Sequence, residues 1–195
     1  MWNERYQENG YYYGKMPNDF LVESVSYIPK GNVLCIAEGE GRNSVFLARS
    51  GYTVAGVDSS FVGLEKARKL AYDNGVEVDY QCADLATYEI EPSSLEGVVS
   101  IFCHLPPDLR QQVLRKAVVG LKKGGVIILE SYSPDQIKHG TGGPKDPTML
   151  PTPEILKQEL EGLEFLVCRQ VERVVMEGIG HSGPSSVVQV VGIKP

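Results

Sequence analysis

No apolar run in the sequence approaches the ~20 residues of a membrane-spanning helix, and its opening, MWNERYQENG, puts charges where a secretion signal has its apolar stretch. The expectation is a cytoplasmic protein that does not enter a membrane. Basic clusters are missing as well: nothing exceeds pairs such as Lys122-Lys123, and the net charge is −6. A surface able to track a run of phosphates is not expected, which argues against nucleic acid as a partner. The four cysteines, Cys35, Cys82, Cys103 and Cys168, show no C-x-x-C pairing. No zinc site, dithiol or other metal centre is expected, and three of the four lie in apolar runs, where a free thiol acts as a small core residue.

What is present suits one domain with a core able to fold without staples, since 42% of the 195 residues are hydrophobic and 23% charged. From about residue 30 to 130, apolar β-branched runs alternate with helical patterns, the grammar of βαβ units and a mostly parallel sheet. NVLCIA, YTVAGVD, VEVDYQCADL, LEGVVSIFCHL and VIILESY read as five strands, the third polar enough for an edge. Between them, GRNSVFLARSG, the stretch after Ser59 or Ser60, and PPDLRQQVLRKAVVGLKKGG read as helices, the last stopped by Gly124-Gly125. An N-terminal helix opens at Asn18, and another starts with Thr152 as cap and Pro153 in its first turn. Residues 133–151 form a long Pro/Gly-rich loop. EFLVCRQVERVVMEG and SSVVQVVGIK, linked by IGHSGP, are too close for a crossover and must pair antiparallel. The expected fold is α/β: a doubly wound, Rossmann-like, mostly parallel seven-stranded sheet with an antiparallel C-terminal hairpin. Residues 1–195 make one domain, with 1–28 as an N-terminal lid and helix and 29–195 as the core.

In such a sheet, ligands sit at the carboxyl ends of the strands, and the loop after the first strand is the usual contact for phosphate or nucleoside. CIAEGEGRN occupies that place. It is no Walker loop, because no Gly-Lys-Ser/Thr follows; it nearly matches G-x-G-x-x-G/A through Gly39 and Gly41, with Ser44 third. Asp58 ends the second strand, where a carboxylate can accept both ribose hydroxyls of a nucleoside lying across Gly39. Asp84 ends the third, where it can accept from the exocyclic amine of adenine. The plainer reading of either acid is a helix cap or a solvated turn.

The series VLCIAEGEGRNSVFLA, VAGVDSS, CADL, IFCHLPP and LKKGGVIILESY resembles the class I S-adenosylmethionine-dependent methyltransferases over nearly the whole chain. The EGRN turn and the leader WNERYQENGYYYGKMPNDFL resemble more narrowly the tellurite-resistance and thiopurine-type branch. The resemblance implies S-adenosylmethionine as cofactor and a small-molecule acceptor such as a thiol or chalcogen oxyanion. It implies that Gly39 lets the backbone approach the cofactor, with Gly41 in the same turn, and that Asn43 lies near the methionine carboxylate. It puts Asp58, with Ser59 beside it, at the ribose, Asp84 and Leu85 around the adenine, and Cys103 at the fourth strand's end. The family pattern has an acid at Cys35 and a glycine at Ala37. Ala37 is a mild change if its backbone angle is ordinary, and Glu38 is the residue able to replace the missing charge at the cofactor's ammonium.

Methyl transfer from a sulfonium is an in-line displacement that asks the protein mainly to desolvate and align. Aromatic faces suit the cation, and Tyr11 to Tyr13 offer them, Tyr13 first, either in a lid or as an anchor for the leader. His104, at the fourth strand's end, is the candidate proton acceptor, with packing as its plain alternative; His139 and His181 lie in loops at or near the same end. Two other readings stay open: an NAD-dependent oxidoreductase, which normally needs a substrate domain as well, and a noncatalytic S-adenosylmethionine-binding protein, suggested by Cys35.

Overall fold

The computed structural model describes residues 2–8 and 10–195. Apolar runs become strands and the stretches between them cross over as helices. The order is α1 (Trp2–Tyr6), α2 (Asp19–Ser24), β1 (Asn32–Ile36), α3 (Arg42–Arg49), β2 (Thr53–Asp58), α4 (Phe61–Asp73), β3 (Asp79–Cys82) and β4 (Leu95–Ile101). Then come α5 (Pro107–Gly120), β5 (Leu121–Tyr132), α6 (Pro153–Glu159), β6 (Glu164–Glu177) and β7 (His181–Ile193). The seven strands form one sheet in the order β3-β2-β1-β4-β5-β7-β6. β1 to β5 pair in parallel, and β7 runs antiparallel to both β5 and β6. The winding reverses beside β1, which places the β1 and β4 ends at the switch point where open sheets bind ligands.

Alternate residues go to opposite faces. Val33 and Cys35 of β1 pack with Leu21, Leu47 and Val99; Leu34 and Ile36 pack with Val57 and Val113 on the other side. β3 is short and at the edge, as its polarity implied. Asn18, Ser60 and Thr152 cap α2, α4 and α6 through their side-chain oxygens.

Two boundaries differ from expectation, and short elements appear where none was expected. α5 ends at Gly120, not at Gly124-Gly125, because the chain drops into the sheet at once: Leu121 is wholly buried and already pairs with Leu95. The close approach needs a glycine, since a Cβ at position 120 would lie 2.4 Å from Ile90 Cγ2. The hairpin link is residues 178–180 rather than IGHSGP, because the ladder continues to the pair Glu177–His181. The leader, without predicted secondary structure, contains α1, and residues 133–151 include two short 3-10 turns, Pro134–Lys138 and Pro147–Met149.

Candidate active site

The turn after β1 is built on left-handed backbone. Ala37 has φ 52°, Gly39 64° and Gly41 91°. Each glycine has a separate reason: a Cβ at 41 would meet Ala67 at 2.8 Å, while one at 39 would lie 2.7 Å from the Tyr6 hydroxyl. The angle at Ala37 is therefore not ordinary, and the residue stores the strain of an L side chain in this region.

Glu38 turns inward. Its Oε1 accepts from the backbone N–H of Ser44 at 2.8 Å, in the first turn of α3, and it lies buried beside the Cys35 thiol. Burial pushes its carboxyl up to about 6, against the lowering effect of the Ser44 N–H and Arg42. Its carboxylate is thus committed to the start of a helix, a favourable place for negative charge. Asn43 is also occupied: its Oδ1 accepts from the Asn18 N–H at 3.0 Å, fastening α2 to α3.

Asp58, buried at the end of β2, receives the Gly39 N–H at 2.9 Å and the Ser60 N–H at 2.8 Å. Burial raises its carboxyl and these backbone donors oppose the rise. Ser59 is exposed beside it, and its carbonyl accepts from the Cys82 thiol. Asp84 is exposed and accepts from the Ala86 N–H at 2.9 Å in a turn. Leu85 packs half-buried against the cluster of Leu34, Ile36, Val57 and Val113. Cys103 is half-buried, with its thiol pushed up to about 12 by burial and by Asp58.

The leader lies over these strand ends. The Tyr6 ring sits between Gly39 and Gly63, where a Cβ on Gly63 would come within 2.9 Å of it. Ser60 Oγ bonds Asn3 Oδ1 at 2.7 Å, and Lys66 Nζ reaches the carbonyls of Glu8 and Gly10 and the carboxylate of Glu40. Tyr13 anchors the leader: its N–H donates to Glu40, its hydroxyl accepts from Arg5, and its ring lies 4.5 Å from that of His181. Phe102, at φ 52°, places its ring 4.5 Å from His181 and 4.6 Å from Tyr132.

His104 stacks on Tyr132 at 5.5 Å, and its Nε2 accepts from the Tyr132 N–H at 3.3 Å. Burial, with His181 and Arg110 nearby, drops its pKa to about 3. It is a neutral plate whose accepting nitrogen is already used.

Beneath this aromatic group lies a buried ionic cluster that sequence reasoning missed. Asn18 Nδ2 donates to Glu130 at 2.6 Å and to Glu177 at 2.7 Å. Arg42 bonds Glu177 at 2.6 Å, and Arg173 bonds Glu130 through Nε and a terminal nitrogen at 3.0 and 2.7 Å. These residues lie far apart in sequence; the one available signal was a lone glutamate, Glu130, inside an apolar strand. No group of three potential metal ligands occurs among the described residues.

The donor chemistry fits a nucleoside sulfonium: a carboxylate and glycine backbone at the first two strand ends, and aromatic faces for a cation beyond them. Residues 33–125 match the family model described as a methyltransferase domain. The sheet order with its antiparallel C-terminal hairpin is the α/β methyltransferase fold, and the matched segment, just under half of the chain, runs from β1 to the start of β5.

Among relatives, the chain is similar to the carboxy-S-adenosyl-L-methionine synthase of Actinobacillus succinogenes, 35% identical over 79 residues, covering 40% of this chain and 33% of that protein. It is also similar to the ubiquinone biosynthesis O-methyltransferase of Actinobacillus pleuropneumoniae, 25% identical over 122 residues, covering 59% of this chain and 51% of that one. It thus spans a third to a half of these relatives. In fold it resembles TehB from Haemophilus influenzae, with a TM-score of 0.75 and 17% identity over 91% of this chain and 62% of that one. It resembles equally, at a TM-score of 0.75 and 17% identity over 92% and 83%, a protein solved in a study of disulfide-to-thioacetal conversion in echinomycin biosynthesis.

Proposed function

We propose that this protein is an S-adenosylmethionine-dependent methyltransferase that acts on a small-molecule acceptor, a thiol, chalcogen oxyanion or similar nucleophile, by in-line transfer. The observation that carries the reading is Asp58, held at the end of β2 against the left-handed Gly39. The two backbone donors leave accepting lone pairs on its carboxylate for ribose hydroxyls. In this reading Gly39 and Gly41 shape the turn, Glu38 and Asn43 hold it to α3 and α2, and Ser59, Asp84, Leu85 and Cys103 border the nucleoside and methyl ends. Residues 1–28 act as the lid and 29–195 as the core of a single domain.

S-adenosylmethionine, when bound, supplies an electrophilic methyl group on a sulfonium. The chain's own part is to exclude water with the leader and to face the cation with aromatic rings, Tyr13 foremost. The acidic net charge and the absence of basic clusters support a small acceptor over nucleic acid. No helix among the described residues is long and apolar enough to cross a membrane.

Thermal shifts with S-adenosylmethionine, S-adenosylhomocysteine and NAD test the cofactor. Stabilisation by the first two is expected, and stabilisation by NAD alone would remove the reading in favour of an oxidoreductase. Asp58→Ala should weaken S-adenosylmethionine binding by about 10–100-fold, the worth of hydrogen bonds to a charged group, and Cys35→Ala much less. Equal effects would remove Asp58 from the ribose. Transfer of labelled methyl to any of a panel of thiols, chalcogen oxyanions and phenols separates an enzyme from a noncatalytic binder.

A further inference from the structure

Glu177 and His181 face each other as the last pair of the β6–β7 ladder, and only residues 178–180 separate them. The His181 Nδ1 is shut off from solvent and lies 3.6 Å from Glu177 Oε2, longer than a hydrogen bond. Nε2 makes no hydrogen bond among the described residues. Glu177 is fixed from behind by Arg42 and Asn18. The tip is clamped in place, since the N–H groups of Ile179 and Gly180 both donate to the Tyr12 carbonyl. The imidazole is thereby held against Tyr13 and Phe102, beside the end of β4.

We propose that His181 is the general base of the reaction and that Glu177 is its positioning residue. The assignment rests on the methyltransferase reading above and deepens it: the acceptor class is one whose nucleophile carries a proton near neutrality, an alkanethiol or a phenol. A carboxylate on Nδ1 leaves Nε2 as the lone-pair nitrogen, the arrangement that makes an imidazole a base. The long Nδ1–Glu177 separation is usual before substrate arrives and shortens as positive charge develops on the ring. In the step, the acceptor's heteroatom–hydrogen bond breaks and its proton goes to Nε2. The electron pair left on the heteroatom forms the new bond to the methyl carbon, and the pair of the broken carbon–sulfur bond stays on sulfur. The resulting imidazolium, paired with Glu177, returns its proton to water.

The charged and titratable groups facing the ring are Glu177, Arg42 and Arg5, with His104, Tyr13 and Tyr132. Burial, aided by Arg42 and Arg5, holds His181 below the ordinary histidine value against the pull of Glu177, so the ring is neutral at pH 7. Tyr132 supports a polar occupant: its hydroxyl is fully buried, lacks a hydrogen-bond partner, and belongs to a ring 5.2 Å from that of His181.

The first measurement needs no turnover. The imidazole ¹⁵N spectrum of the cofactor-free protein should show His181 protonated on Nδ1 and bare on Nε2; a proton on Nε2 at neutral pH overturns the assignment. The second compares acceptors. In His181→Asn, the thermal shift with S-adenosylmethionine should persist while transfer to an alkanethiol falls about 10²–10⁴-fold. Transfer to an electron-poor arenethiol, already ionised, should change little. Equal losses for both thiols, or none, overturn the base. Wild-type protein that is stabilised by S-adenosylmethionine yet methylates no thiol or phenol also overturns it and leaves the cofactor reading standing. Absence of that stabilisation removes the methyltransferase reading itself. In Glu177→Gln the acid limb of the alkanethiol rate profile should move to lower pH, because a charge favouring the imidazolium is gone. An unmoved limb overturns the role of Glu177.

Discussion

Ala37 and Glu38 show how one turn divides strain and charge between neighbours. A left-handed L residue costs about 1–2 kcal/mol, and glycine in its place costs about 0.5–1 kcal/mol in unfolded-chain entropy. Ala37→Gly should therefore raise stability by up to about 1 kcal/mol, seen as a higher Tm; a lower Tm would mean that the methyl packs better than it strains. Glu38 makes a second prediction. Its folded carboxyl lies at about 6, above its unfolded value. The folded state then binds the extra proton, and the associated stability is present at acid pH and lost as pH rises through 6. The loss is about 2 kcal/mol, from the size of the displacement. Glu38→Gln, which keeps an acceptor for the Ser44 N–H, should erase this slope between pH 4 and 7. Melting curves of both proteins across that range would show it, and parallel curves would contradict it.

At the scale of elements, α1 and the glycine turn compete for one space. Tyr6 is buried with its ring on the floor between Gly39 and Gly63. A nucleoside lying across Gly39, as proposed, requires that ring to lift. Burying such a side chain is worth about 1.5–3 kcal/mol, so Tyr6→Ala should tighten S-adenosylmethionine binding by roughly tenfold, measured by titration calorimetry. Weaker binding would make Tyr6 a wall of the site instead of its occupant. Glycine at the tip of the β6–β7 hairpin serves the same layer: a Cβ at position 178 would fall 2.3 Å from the Tyr12 carbonyl oxygen. The hairpin is thereby a support for the leader as well as the edge of the sheet.

For the whole molecule, the ionic cluster joins parts that share no local sequence. Glu130 is wholly buried on β5 and is bonded by Arg173 of β6, Gln189 of β7 and Asn18 of the leader. Breaking such a pair from one side strands a charge. Arg173→Met should cost about 3–5 kcal/mol in denaturant unfolding, and the double variant with Glu130→Gln should recover part of it. Additive losses would show that the two residues are not coupled. Glu177 adds an acid-side dependence: burial opposes its charge, but His181, Arg42 and Asn18 together hold it near 2. The stability it contributes is complete above the ordinary carboxyl range and is lost as pH falls toward 2.

The sheet was legible because its information is local and periodic: apolar strands, helical spacing, and a link too short to cross over fix β1 to β7 and the antiparallel β7. Gly39 and Asp58 could be placed at the strand ends for the same reason, since parallel connections bring every such end to one edge; Tyr13, in the leader, was placed near them by the resemblance alone. Other features depended on contacts between distant residues. Only the folded chain turns Glu38 into a helix partner, bends Ala37 to a positive φ, seats Tyr6 on Gly39 and uses the accepting nitrogen of His104 on a backbone N–H. Only the hairpin's register, reaching Glu177 and His181, presents a histidine backed by a carboxylate to the aromatic leader. Periodicity in sequence specifies which face a residue takes; which partner waits there is decided by how the faces close.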